Sequence, residues 1–206
     1  MIKDGMFKLF VLGISTLTIN SCSSDLKTTS AEGLVEYMED TENDVKKSIT
    51  KNGVTFNLAY EPLDLLVQKQ QRTQLTSKQS LEELKKDYPQ LEYYNLEITS
   101  QIKNTREHLI ELFNEEIMEF QYYSDFYVQQ DIYLVQHTDT IRCSYLHREV
   151  AESITNSFRY LLGFENASID ASDRIIVFKS KYTGVDQIEF LITNNSIVSI
   201  PQLKTE

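Results

Sequence analysis

Tryptophan is absent from these 206 residues, cysteine occurs twice, proline three times and glycine six times, and only 20 lysines and arginines face 31 aspartates and glutamates. Each shortage excludes something. A formal charge of −11 with no Lys/Arg-rich block lacks the electrostatic footprint of a DNA or RNA binder. It equally disfavours adhesion to anionic lipid by charge alone. The scattered glycines form neither GxGxxG nor GxxxxGK, and GxSxG, HExxH and CxxC are missing too, so no motif assigns a catalytic residue. Without tryptophan, a sugar-stacking platform loses its best ring. No apolar run approaches the roughly 20 residues that a spanning helix needs.

The N-terminal stretch has a definite pattern. Lys3 and Lys8 precede "LFVLGISTL" (9–17), about the length of a signal peptide's apolar centre, and "INSC" (19–22) then gives way to serine, threonine and charge. Ser21 before Cys22, with Ile19 two further back, resembles the lipobox of a bacterial lipoprotein, and the Ile/Asn/Tyr-rich chain with an "SC" junction resembles Bacteroidota-type lipoproteins. Asn20 departs from the small residue usual there, and Asp4 is odd in a basic leader unless the chain starts at Met6. The resemblance covers about 25 residues and implies export, diacylglyceryl transfer to the Cys22 thiol and attachment to the cell envelope, with Ser23 rather than aspartate favouring the outer membrane. It names an address, not an activity. Two or more acyl chains anchor stably where one does not. With Cys22 acylated, Cys143 has no disulfide partner, so the core alone must hold the fold.

This reading divides the chain into a signal peptide (1–21), a lipidated flexible tether (22–52) with a short helix near Leu34 to Met38, and one globular domain (53–206). A tether of that length has a root-mean-square reach of roughly 30 Å. Asn52-Gly53 supplies a turn, and Val54, Phe56, Leu58 and Tyr60 alternate with smaller or polar residues as in a half-buried strand. Short helices are expected near 62–71, where Pro62 fits a first position, and 78–87, where Ser80 and Glu83 form a capping box. "LEYYNLEIT" (91–99) reads as a strand. The longest amphipathic helix is expected over 104–119, with Asn104 as cap and Leu109, Leu112, Phe113, Ile117 and Phe120 on one face. From Phe126 onward the pattern is mostly β: "FYVQQDIYLVQ", "TIRCSYLH" and a meander turning at Thr183-Gly184 and Asn194-Asn195, while "REVAESITNSFRYLLGFE" between them is ambiguous, helical through Ser157 and apolar enough for a strand from Phe158 to Phe164. The fold class is α+β, a mostly antiparallel sheet or sandwich-like domain with the 104–119 helix covering a face or edge.

Three groups of residues carry candidate chemistry. His137, Asp139, Cys143 and His147 are ligand-type residues, and strand geometry places Cys143, Tyr145 and His147 on one side, but their spacing matches no zinc signature. A buried thiol beside a half-exposed histidine is the plainer reading. Glu107, Glu111, Glu115 and Glu119 recur at four-residue spacing beside His108, which suits a solvated face better than a cation site. "FQYYSDFYVQQDIY" (120–133) concentrates six of the twelve tyrosines and ten phenylalanines, and Tyr122, Tyr123, Phe126 and Tyr127 are its candidate ligand or partner contacts.

No metal or cofactor is expected. The favoured function is a lipid-anchored envelope protein whose domain binds a protein partner without catalysis. The alternative is a solute- or glycan-binding lipoprotein using the tyrosine-rich surface. A concave pocket lined by those rings favours the alternative, and an exposed patch favours protein docking. A hydrolase built on His137, Cys143 or His147 requires those side chains to converge.

Overall fold

The computed structural model describes residues 27–73, 81–86, 88, 91–114, 116–149, 156–165, 172–179 and 187–204. The α+β expectation holds. Eight antiparallel strands form one sheet: β2 (Lys46–Lys51), β3 (Val54–Glu61), β4 (Leu91–Ser100), β5 (Ile132–Gln136), β6 (Asp139–Glu149), β7 (Ser157–Glu165), β8 (Arg174–Phe178) and β9 (Ile188–Ile192), in the spatial order β2-β3-β4-β7-β6-β5-β8-β9. The outer strands β2 and β9 come into contact, so the sheet curls almost into a barrel.

Period-two alternation drives the curl. Val54, Phe56 and Leu58 of β3, Tyr94, Leu96 and Ile98 of β4, Phe158, Tyr160, Leu162 and Phe164 of β7, and Ile188, Phe190 and Ile192 of β9 all enter one core. A sheet with one apolar face buries it by packing on another layer or by wrapping upon itself, and here it wraps. The β2–β3 hairpin turns at Asn52-Gly53, where both φ values are positive (50° and 75°), the chemistry that tight hairpins select.

Six helices complete the described fold: α1 (Ala31–Glu39), α2 (Leu63–Thr73), α3 (Leu81–Lys85), α4 (Thr105–Phe113), α5 (Ile117–Tyr122) and α6 (Asn194–Val198). Two-residue strands β1 (Thr28–Thr29) and β10 (Gln202–Leu203) pair in parallel, joining the two ends of the described chain.

Several boundaries differ from the sequence expectation. From Thr28 onward the segment expected to be tether is part of the fold. Leu34 and Met38 of α1 pack with Val45 and Leu65 in a second, smaller core, and β2 pairs with β3 along its whole length. Helix α1 falls on the short helix expected near Leu34 to Met38, and β2 is a lysine-rich edge strand held by backbone hydrogen bonds, which shows little periodicity. The helix expected over 104–119 breaks at Asn114, which takes the left-handed conformation (φ 54°, ψ 33°) and donates its N–H to the Ile110 carbonyl as a C-cap. Asn194-Asn195 opens helix α6 rather than a hairpin, because Thr193 Oγ1 caps the Ser196 N–H at 3.2 Å. The expected turn at Thr183-Gly184 lies outside the described residues, as do Cys22 and everything before Lys27.

One polar cluster spans the interior. Glu92 of β4 and Arg174 of β8 are 6% and 8% exposed, and Arg174 Nε donates to Glu92 Oε1 at 3.1 Å. Their strands are not neighbours in the sheet, so the pair crosses the barrel. The Tyr94 hydroxyl also donates to Glu92, while Arg174 Nη1 donates to Asn194 Oδ1 at 2.9 Å and to the Ser172 carbonyl.

Removing one member of a buried ion pair leaves the other charge uncompensated. Arg174→Met should therefore lower unfolding stability by about 3–5 kcal/mol, and adding Glu92→Gln should recover most of the loss, as read from urea midpoints. Burial, and then the charge of Glu92, push the Tyr60 hydroxyl up to about 12 and Tyr94 well above the ordinary phenol range. In the unfolded chain these phenols ionise near pH 10. Their contribution to stability is full below that value and is lost as pH rises from about 10 to 12, with a slope of at most about 1.4 kcal/mol per pH unit per group. Urea midpoints measured across this window should fall, and Tyr60→Phe should make the fall shallower.

Candidate docking surface

The segment from α4 to β5 is a helical insert that stops up the curled sheet. Helix α5 runs into a π-helical turn (123–127) and then a 3-10 turn (128–131) before β5 begins. Phe120, Tyr123, Ser124 and Val128 are buried, and all but Ser124 belong to the main core. In an unbroken α-helix the residue at 127 would follow 120, 123 and 124 inward. The wide turn inserts one extra residue, so Val128 takes that place and Tyr127 is turned outward.

The outward side consequently carries large apolar side chains among the exposed Glu116, Glu119 and Gln121. Ile117, Met118, Tyr122, Phe126 and Tyr127 are 59%, 76%, 56%, 66% and 42% exposed. The Tyr122 ring lies 5.2 Å from both the Phe126 and the Tyr127 ring centroids, in tilted packing. A hydrogen bond with Tyr122 raises the Tyr127 hydroxyl above the ordinary phenol range. Of the four expected contact residues, Tyr122, Phe126 and Tyr127 therefore form one surface and Tyr123 does not. Tyr123 is only 8% exposed, its ring is 5.3 Å from that of Phe113, and its hydroxyl donates to Asp131. Ile117 and Met118 join the patch because the helix break at Asn114 rotates α5 away from the α4 face that buries Leu109 and Phe113. Continuous 3.6-residue spacing predicted Ile117 to be in the core.

Beside this patch a cleft of about 670 Å³ opens between the start of α4, the α5–π segment and the Ser157 end of β7. Phe158 forms its floor and Phe126 its rim. Arg148 lies over the Phe158 ring, 5.0 Å from its centroid, and is ion-paired to Asp125. Arg106 donates to Gln121 Oε1 at 3.3 Å. No sequence signal pointed here, since Arg106 and Arg148 sit on different elements and meet only through tertiary packing. A second hollow, about 530 Å³, lies where α1 and α2 cover the outside of the sheet. Its charges neutralise one another, as in Lys69–Glu61 (2.7 Å) and Arg159–Glu97 (2.8 Å).

The His/Cys group does not converge. His137 occupies the β5–β6 turn with φ 53° and is exposed, Asp139 is exposed, and His147 is exposed on β6. Cys143 points into the core. A bulge in β6 between Cys143 and Tyr145, opposite Gly163, breaks the alternation that would have put Cys143, Tyr145 and His147 on one side. Among the described residues there is no group of three or more His, Cys, Asp or Glu able to hold a metal ion. The acidic series is interrupted too, since Glu111 is paired with Lys103 on α4, Glu119 belongs to α5 and Glu115 lies outside the described residues.

No protein-family model, curated protein or solved structure matches the chain.

Burial pushes the Cys143 thiol up to about 11, and Sγ donates to the Tyr145 carbonyl at 3.0 Å. Against an ordinary value of 9.0, the folded protein at pH 8 should hold about 100-fold less thiolate than the unfolded chain. Iodoacetamide labelling of Cys143 should be slower by at least that factor in buffer than in urea.

Proposed function

We propose that this protein is a lipid-anchored component of the bacterial cell envelope whose domain docks another envelope protein and performs no catalysis. The observation that carries the docking reading is the apolar face of α5 and the following turn, formed by Ile117, Met118, Tyr122, Phe126 and Tyr127. Clustered aromatic and methionine side chains in water are the composition of interface cores. The rings stand on the outside of a helix and do not line a concavity, which favours a protein partner over a solute or glycan. Phe126 alone reaches a cleft rim.

The anchor belongs to the same proposal and rests on the lipobox-like junction at Cys22. The described chain starts close behind it. The Lys27 carbonyl accepts from Gln202 N–H at 2.8 Å, and β1 follows at once. Five residue-to-residue steps lead from Cys22 to Lys27, and at about 3.3–3.6 Å each they reach no further than about 18 Å. A lipidated chain would therefore hold its domain against the bilayer surface, closer than the roughly 30 Å reach of a tether ending at residue 52.

The experiment is co-purification from detergent-solubilised membranes through a C-terminal tag. A stoichiometric envelope protein should be retained by the wild type and lost by at least about 30-fold in Met118→Ser/Tyr122→Ser/Tyr127→Ser, the loss expected when about 2 kcal/mol of hot-spot contact is removed. These side chains are exposed, so the variant should keep the wild-type melting temperature. Cys22→Ser should abolish lipidation, and globomycin, which blocks cleavage of the leader after acyl transfer, should leave a lipidated, uncleaved precursor. A lipidated protein that comes down alone overturns docking, and an unlipidated one overturns the anchor.

A further inference from the structure

We infer that the uncharged surface where α6 runs into β10 is the face that the domain lays on the bilayer, with Asn195, Val198, Ser199 and Gln202 against the lipid headgroups. The inference rests on the anchor at Cys22 proposed above and adds which side of the domain that anchor brings down.

Chain geometry sets the place. Strands β1 and β10 run parallel, so the Lys27 end of β1 lies beside the end of β10 that α6 feeds through Ser199, Ile200 and Pro201. The Lys27 carbonyl accepts from the Gln202 N–H at 2.8 Å and the Thr29 carbonyl from the Lys204 N–H at 3.0 Å, which pins the two segments together. Cys22 is five steps of chain from Lys27 and Val198 is four steps from Gln202, at most about 18 Å and about 14 Å. Acyl chains on Cys22 therefore hold this end of the fold at the membrane.

Composition fits the place. No aspartate, glutamate, lysine or arginine occurs among the 14 residues between Glu189 and Lys204, the longest uncharged run after Cys22 in a chain that is 25% charged. Part of the run faces inward: Phe190, Ile192 and Ser196 are buried, Ile197 packs on the main core, and Ile200 and Leu203 pack on the smaller one. Asn195, Val198, Ser199 and Gln202 stand outside, with Val198 62% exposed. A surface in water has no need to be free of charge, whereas one pressed on headgroups does, because any charge caught there is desolvated. The amides and the hydroxyl can exchange hydrogen bonds with headgroups as they do with water. With a formal charge of −11, a domain held this close to anionic lipid is repelled by it, and the repulsion is least when an uncharged face is the one turned down. The exposed Lys27 and Lys204 beside the run carry the sign that such a surface favours. At the other end of α6, Asp173 accepts from the Asn194 N–H at 2.9 Å, which marks where the uncharged surface stops.

The test uses the lipidated full chain reconstituted in phosphatidylethanolamine–phosphatidylglycerol vesicles. An environment-sensitive fluorophore is placed on Val198→Cys, or on Met118→Cys as the control on α5. Cys143 is buried, and the unsubstituted chain serves as the labelling blank. Doxyl-labelled lipid should quench the Val198 probe at least about twofold more than the Met118 probe. Ser199→Glu/Gln202→Glu puts two carboxylates on the face and should bring quenching at position 198 down to the control level, at an unchanged melting temperature. Equal quenching at the two positions overturns this face. So does quenching that survives the two glutamates, or a Val198 probe shielded from water without lipid quenching, as contact with a second copy would give. Mass spectrometry of the same sample reads the acyl chains. An unmodified Cys22 overturns the anchor and this face with it, whereas a lipidated chain with an unquenched Val198 probe overturns the face alone.

Discussion

Glu92 and Arg174 meet across the inside of the curled sheet, and the closure of the fold depends on that meeting. Each is almost wholly removed from water, and a buried charge without a partner costs several kcal/mol. Strand β8 can therefore settle only where Arg174 reaches Glu92, and β9 and α6 follow because Arg174 also engages Asn194. The pair adds little net stability, since desolvation cancels most of the attraction. What it supplies is selectivity among closures: a sheet curled in another register would bury the same apolar residues and strand both charges. Tyr94 donates to Glu92 from the same strand and Tyr60 packs edge-on to Tyr94 at 5.5 Å, which makes one end of the interior a satisfied polar plug.

The helical insert depends on that closure, because a curled sheet has an open mouth that must be covered. Phe113, Phe120, Tyr123 and Val128 fill the mouth, with Phe120 edge-on to Phe158 at 5.9 Å. Filling it with an irregular helix has a surface consequence. The left-handed Asn114 and the π turn each shift the helical phase, and residues that would have been inward in a straight helix, Ile117 and Tyr127, are left in water. The exposed aromatic face thus follows from how the core is sealed. Wide turns of this kind are uncommon and often occur where a protein presents a surface for use.

The two ends of the described chain are held together by the β1–β10 pair, next to the small core of Leu34, Met38, Val45 and Leu65. Those elements cover the outside of the sheet, whereas α4 and α5 seal its inside. An anchor preceding Lys27 and a partner on α5 would accordingly act on different sides of the sheet. The lysine-rich strand β2 resists pairing with a further strand, and its contact with β9 nearly closes the sheet.

Strands β3, β4, β7 and β9 were legible in the sequence because alternation at Val54–Leu58, Tyr94–Ile98, Phe158–Phe164 and Ile188–Ile192 is a local property, fixed by the two-residue repeat of an extended backbone. The same holds for the Asn52-Gly53 turn and the Asn104 cap, where one residue's own chemistry sets the conformation. The short helix near Leu34 to Met38 was legible, but elements stabilised by distant partners were not: β2 is defined by its hydrogen bonds to β3, the packing of α1 on Leu65 joins residues far apart in the chain, and the bulge that separates Cys143 from His147 shows only in the pairing of β6 with β7. Of the surface, the sequence alone marked Tyr122, Phe126 and Tyr127 as a group, since their spacing is short. That Tyr123 would be buried, that Ile117 and Met118 would be exposed, and that Arg106 and Arg148 would share a cleft were decided only by tertiary structure. Burial is a property of the whole core, and no local pattern says which face of a phase-shifted helix the rest of the chain will cover.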